Sequence, residues 1–301
     1  AQIGIITCFD HAKDSYLIMI NFKKTQLLGH RGARVEALEN TLFGFQHAKR
    51  LQARGLAGVE LDVQLTADGH LIVFHDDTLQ RLCGLQARID QLSLREIQRH
   101  TQSGHHIITL DMLAQSLPLS MSAPAFKPQR QALNSLLGVN TISSDKAYEI
   151  TELSSQAHTL SQFTHIELEI KTHNRTDHTK LVQALLRYLV NSPLSSLPLV
   201  LTSFDKTLLA QLQQHPQLSS ISRGLLVLEP SLISSAPNTA LRLGCTQLGI
   251  HYPLLNEQII ANCHRYQLPV SAWTVNDISA IKQLIEWQVD VIITDIPSQL
   301  L

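Results

Sequence analysis

A chain of 301 residues is long enough for one large domain with a substantial core, or for two small ones. Apolar residues make up 44% and charged residues 16%, which excludes a disordered chain, and a formal net charge of -1 leaves no broad positive field for nucleic acid. Any phosphate that this chain binds is therefore met by local groups.

Residues 1–25 form an N-terminal extension without a readable pattern. The apolar run 16–20 is too short to span a bilayer, and the first two dozen residues lack a basic stretch followed by a hydrophobic core and a cleavage site. The expectation is a cytoplasmic protein with no stable membrane insertion. Cys8, Cys83, Cys245 and Cys263 are scattered without Cys-x-x-Cys spacing, so they read as reduced, mostly buried thiols.

From residue 26 onward, short β-branched or Leu-rich runs alternate with helix-like stretches, as in a parallel sheet with crossover helices. The runs are 26–30, 59–63, 165–171, 198–203, 224–228, 247–251, 269–275 and 290–295. Helical spacing is clear over 180–190, 206–214, 256–266 and 278–288, the last capped by Asn276-Asp277. Eight such units, without the glycine-rich fingerprint of a dinucleotide fold, predict a closed (β/α)8 TIM barrel over 26–301.

The run 71–75 stands outside that count. It follows Val63 too closely for a parallel crossover and is preceded by the turn signal Asp68-Gly69, so it reads as the return strand of a hairpin. A two-residue Asp68-Gly69 turn sets Asp62 opposite His75. The barrel pattern then lapses over an insertion at about 77–162, helical at 91–100 and 110–116. Its stretch 117–161 is rich in Ser, Gln, Pro and Ala, with Pro118, Pro124 and Pro128 breaking any helix early on. That stretch reads equally as a lid over the barrel mouth and as a passenger.

Within this frame, His30 in Gly29-His30-Arg31-Gly32 falls at the end of the first strand, where barrel enzymes place reactive groups. Arg31 offers a planar fork for phosphate. Glu60 and Asp62 are two apart on a strand and share one face, as do Glu167, Glu169 and Lys171. Glu169, nearer the strand end than Glu167, is the one expected at the mouth. Three oxygen donors suit Mg²⁺ or Ca²⁺ better than zinc, and the competing reading is an ion-pair network with Arg31 or Lys171. Glu39-Asn40-Thr41 reads either as a helix cap or as a device that orients Arg31 or a metal's waters. Phe204 and Trp273 fall at or just after strand ends, where they wall a substrate pocket or pack the core. No Gly-x-Ser-x-Gly nucleophile elbow is present.

Taken in order, Gly29-His30-Arg31-Gly32, Glu39-Asn40-Thr41, Glu60-Leu61-Asp62-Val63, Thr66-Ala67-Asp68-Gly69, His75-Asp76, Glu169-Ile170-Lys171, Ser203-Phe204, Trp273-Thr274-Val275-Asn276 and Ile293-Thr294-Asp295 resemble the glycerophosphodiester phosphodiesterase family over residues 28–297. The resemblance implies a TIM barrel that hydrolyses glycerophosphodiesters to glycerol 3-phosphate and an alcohol with one divalent cation, Mg²⁺ or Ca²⁺. It implies His30 and His75 as acid and base, Glu60, Asp62 and Glu169 as metal ligands, and Arg31 and Lys171 as holders of the phosphate. Glu39, Phe204 and Trp273 complete the expected substrate pocket. The chain departs from the family in the length of 117–161 and in replacing the usual glycine around Gln288-Val289. Two other readings remain at this point: a lysophospholipase D-type lipid phosphodiesterase, and a non-catalytic phosphate- or metal-binding barrel. The partner in every case is a small molecule, and the oligomeric state is not legible.

Overall fold

Alternation of apolar and polar residues along the strands builds the architecture. The computed structural model describes residue 22 and residues 24–101, 105–114, 160, 162–190 and 192–301. The expectations for 1–21 and for the stretch 117–159 lie outside these residues. Eight parallel strands close a cylinder: β1 (Gln26–Gly29), β2 (Gly58–Leu65), β5 (His165–Ile170), β6 (Leu199–Ser203), β7 (Ser222–Val227), β8 (Gln247–His251), β9 (Val270–Trp273) and β10 (Val291–Thr294). β1 pairs with β10 on one side and with β2 on the other, which completes the (β/α)8 TIM barrel.

On β2 the residues Val59, Leu61 and Val63 join the main core, and on β5 Ile166, Leu168 and Ile170 do the same. Glu60, Asp62, Glu167 and Glu169 thereby fall on the opposite, inner face. The interior is lopsided: acids line the β2–β5 side, while Leu28, Val291 and Ile293 form an apolar patch on the β1–β10 side.

The outer layer is carried by α1 (Leu42–Leu51), α5 (His178–Leu189), α6 (Lys206–Gln214), α7 (Ala236–Arg242), α8 (Glu257–Arg265) and α9 (Ile278–Glu286). Most start at a side-chain cap, including Thr41 for α1, Asp205 for α6 and Asp277 for α9. Among the described residues no helix is long and apolar enough to cross a membrane. Cys245 and Cys263 are buried free thiols, and Cys83 is a half-buried one.

The return strand β3 (Leu71–Val73) runs antiparallel to the end of β2, and β4 (Ile108–Thr109) adds antiparallel to β3. The register differs by one from the expectation. Val63 faces Val73, and the Phe74 amide donates to the Asp62 carbonyl, so Asp62 lies opposite Phe74 rather than His75. The cause is the loop, in which Thr66 and His70 close three residues, Ala67-Asp68-Gly69, with Gly69 at φ +83°. A left-handed glycine at the third position defines the three-residue hairpin, whose extra residue shifts the pairing.

Beyond the hairpin, α2 (Gln80–Cys83), α3 (Leu94–His100) and α4 (Leu110–Ala114) form the described part of the insertion. Ile72, Phe74, Leu79, Ile89, Ile97 and Ile107 bury one another in a small core of their own. Each such side chain contributes about 1.5–3 kcal/mol by leaving water, enough to hold the end of β3 and α2 in fixed relation.

Candidate active site

The loop after β1 carries the first group of site residues. Arg31 sits at φ +51° and Gly32 at φ +93°, where a Cβ on Gly32 would come 2.9 Å from the Gly44 carbonyl carbon. The unusual backbone at Arg31 is held by its own polar groups. Its amide donates to Glu60 Oε2 at 3.0 Å, and its carbonyl accepts from the Asn40 amide at 3.0 Å.

This turn aims two side chains differently. His30 Nδ1 lies 2.6 Å from Asp295 Oδ1, and Nε2 faces Glu60 Oε2 at 3.7 Å. Asp295 is itself positioned by Asn276, whose amide group donates to Oδ2 at 2.7 Å and whose carbonyl accepts the Asp295 amide at 2.9 Å. A carboxylate on Nδ1 keeps the proton there and leaves Nε2 to the site. Arg31 turns the other way, with Nη1 donating to Glu39 Oε1 at 2.8 Å and Nε 3.2 Å from Asp62 Oδ2.

Glu60, Asp62 and Glu169 each offer an oxygen such that the three atoms lie within 4.8 Å of one another. That spread fits one ion with oxygen ligands at about 2.0–2.6 Å. Glu60 Oε1 is buried and has no hydrogen-bond partner among the described residues, which leaves a lone pair for a cation. Lys171 bridges the other two acids, its Nζ at 2.9 Å from Asp62 Oδ1 and 2.5 Å from Glu169 Oε1. Asn40 donates to Asp62 Oδ2 at 2.8 Å.

The protonation balance follows from this crowding. Burial, then the charges of Asp62 and Glu169, push the Glu60 carboxyl well above the usual range. Burial also raises Glu169, against the pull of Lys171. Asp62 goes the other way: burial opposes its charge, but Lys171 and Arg31 hold it below the ordinary carboxylate value. Burial lowers His30 against the favourable Asp295 contact, and burial lowers His75 against the attraction of Asp62. Three acids crowded so that burial and mutual repulsion oppose their joint ionisation make a place for a hard cation beside the two rings.

His75 reaches the site from just past the end of β3. Its Nδ1 lies 2.8 Å from Asp76 Oδ1, so it repeats the carboxylate-held arrangement of His30. Gln64 fixes the backbone on both sides of it, donating to the carbonyls of Phe74 and Asp76 at 2.9 Å each.

A cavity inside the barrel mouth is lined by His30, Glu60, Glu167, Glu169, Thr202 and Trp273, among others. Glu169 is partly open to it, whereas Glu167 is buried deeper, 3.4 Å from His165. The Trp273 ring meets Phe204 edge to face at 5.7 Å, and Phe204 leads into a second, largely apolar groove with Leu226, Leu228, Leu232 and Ala236. Leu226 lines both spaces.

The structure thus brings His30, His75, Arg31, Lys171, Glu60, Asp62 and Glu169 into one network at the barrel mouth. Glu39 lies behind Arg31, buried between two guanidinium groups, and does not cap α1, a role taken by Thr41. Three contributors carry no site role in the sequence reading, where Asn276 stands with Asp277 as a helix cap. Gln64 continues the inward two-residue spacing of Glu60 and Asp62 and was legible on that ground. Asp295 and Asn276 act through a contact between distant segments, for which no local pattern exists.

Comparison with known proteins agrees with this geometry. The sequence profile of the glycerophosphoryl diester phosphodiesterase family matches residues 30–299. A glycerophosphodiester phosphodiesterase of Caldanaerobacter subterraneus subsp. tengcongensis is 42% identical over 76 residues, 25% of this chain and 30% of that one. One from Bacillus altitudinis is 22% identical over 283 residues, 91% of this chain and 96% of its own. In fold, the chain is similar to an Oleispira antarctica phosphodiesterase solved with the product sn-glycerol-3-phosphate, at a TM-score of 0.67 and 23% identity, covering 91% of this chain and 94% of that one. The chain belongs to the glycerophosphoryl diester phosphodiesterase family.

Proposed function

We propose that this protein hydrolyses glycerophosphodiesters to glycerol 3-phosphate and an alcohol, with His30 and His75 moving the protons and Glu60, Asp62 and Glu169 holding one divalent cation, Mg²⁺ or Ca²⁺. The observation that carries this reading is the paired arrangement of the two rings. Each gives Nδ1 to a carboxylate, Asp295 or Asp76, and each keeps Nε2 for the substrate.

A bound cation would supply charge neutralisation on the phosphate and a lowered pKa for a glycerol hydroxyl beside it. Arg31 and Lys171 add positive charge on the same side and orient the phosphate oxygens. One imidazole then takes the proton of the glycerol hydroxyl next to the phosphate as that oxygen bonds to phosphorus. The other, which enters the cycle protonated on both ring nitrogens, gives its Nε2 proton to the departing alcohol as the ester bond breaks. Water opens the resulting cyclic phosphate with the two roles exchanged, which returns both rings to their starting state.

The apolar groove that runs from Phe204 to Leu228 favours a second reading of the substrate, the lysophospholipase D type, in which the glycerol that keeps the phosphate bears an acyl chain that lies along it. A non-catalytic barrel is disfavoured, because all five acid–base and ligand residues are present and mutually oriented. The test is release of glycerol 3-phosphate from glycerophosphocholine and of lysophosphatidate from a lysophosphatidylcholine, with added Mg²⁺ or Ca²⁺ and with chelator. Cation-dependent release from the first substrate supports the main reading. Turnover that chelator leaves unchanged removes the metal from it.

A further inference from the structure

Arg81 lies on α2, in the insertion, and its side chain is 42% exposed, so at first sight it makes ordinary surface ion pairs of little weight. Its partners argue otherwise. Nε and Nη2 donate to the two oxygens of Asp76 at 2.6 and 2.9 Å, while Nη1 and Nη2 donate to the two oxygens of Glu39 at 2.9 and 2.7 Å. One planar fork therefore saturates two carboxylates at once. Each of those carboxylates holds a site residue with its remaining capacity: Asp76 Oδ1 meets His75 Nδ1 at 2.8 Å, and Glu39 Oε1 accepts from Arg31 at 2.8 Å.

The result is a continuous chain, His75–Asp76–Arg81–Glu39–Arg31, that joins the segment after β3 to the loop after β1. A short helix of the insertion thus sets the distance between a ring that moves protons and a guanidinium that holds phosphate. Burial works against charge on both acids, yet the Arg81 bonds bring Glu39 and Asp76 down to about 2, so both remain acceptors across the working pH range. A lysine cannot replace this geometry, because an ammonium is a point charge and cannot offer two parallel pairs of donors in one plane.

We propose that Arg81 is a positioning residue of the active site, its guanidinium tying Asp76 to Glu39 and so fixing the tautomer and aim of His75 relative to Arg31. The proposal rests on the reading of His75 as a proton-transfer ring.

Arg81→Lys is the deciding variant, with Arg81→Ala beside it and Arg88→Ala as the control. Among the described residues the Arg88 side chain pairs only with Asp90, so its loss removes an ion pair of the same insertion without touching the chain above. In Arg81→Lys, kcat for glycerophosphocholine falls about 10- to 100-fold, as for other residues that orient catalytic groups, while KM changes little. The ¹⁵N side-chain spectrum of His75, recognised by its loss in His75→Gln, changes from one Nδ1-protonated form to a mixture. Free guanidinium restores part of kcat in Arg81→Ala. Arg88→Ala keeps the wild-type kcat and the wild-type His75 spectrum. Unchanged kcat, or an unchanged His75 spectrum, in a folded Arg81→Lys protein overturns the proposal and returns Arg81 to the surface ion pairs. Wild-type turnover in His75→Ala together with an altered ring spectrum in Arg81→Lys supports the clamp and overturns the role given to His75.

Discussion

His30 and Asp295 lie 265 residues apart in sequence and 2.6 Å apart in space, Nδ1 against Oδ1. This contact joins the ends of the first and last barrel strands and decides which ring nitrogen faces the acid cluster. Asp295→Asn keeps the shape but offers an amide that can stabilise the wrong tautomer. We expect kcat to fall at least ~10-fold and up to ~100-fold with the melting temperature little changed. Steady-state kinetics at saturating cation check this, and a wild-type kcat in the variant would show that the contact only closes the barrel.

The two rings act in one proton circuit. His30→Ala and His75→Ala should each lower kcat by about 10²- to 10⁴-fold with the fold intact by circular dichroism. The double variant should lose little beyond the worse single one, because a circuit broken once is already broken. Multiplying losses would mean that the rings serve separate steps.

Glu39 makes the protein sensitive to acid. Burial opposes its charge, but bonds from Arg81 and Arg31 carry its pKa down to about 2, below the ordinary carboxylate value of 4.5. The unfolded chain therefore takes up a proton before the folded one does. The stabilisation is complete above the unfolded pKa and is lost as pH falls from there toward the folded value, a contribution on the order of 3 kcal/mol. Urea unfolding between pH 6 and pH 3 (about the span in which the two pKa values act) should show a steeper loss for wild type than for Glu39→Gln. Parallel curves would mean that Glu39 carries no such linkage.

The groove beyond Phe204 reports on whether the glycerol of the substrate bears an acyl chain. Leu228 is 44% exposed at its rim and has no place in the acid–base network. A carboxylate introduced by Leu228→Glu should depress kcat/KM for a lysophospholipid while leaving glycerophosphocholine turnover as it was, because only an aliphatic chain would lie against that position. Equal effects on both substrates would remove the lipid reading of the groove.

The residues differ in how openly the sequence displays their roles. Glu60, Asp62 and Glu169 could be placed on the inner face because Val59, Leu61, Val63, Ile166, Leu168 and Ile170 occupy the alternate positions, and a two-residue period admits no other arrangement. The hairpin was legible but its register was not, since Asp68-Gly69 fits a two-residue turn as well as the last two positions of the three-residue loop that forms. Asp295, Asn276 and Arg81 meet their partners only when the barrel closes or the insertion folds back. Their contacts are set by tertiary geometry, which no local spacing encodes.

The account depends most on a single divalent ion held by Glu60, Asp62 and Glu169. Calorimetric titration of metal-stripped protein with Mg²⁺ and with Ca²⁺ tests this without reference to turnover. The prediction is one site per chain for at least one of the two ions, lost in Asp62→Asn and in Glu60→Gln and accompanied by proton release from the acid cluster. Undiminished binding in both variants, or no binding of either ion to the wild-type protein, would contradict it.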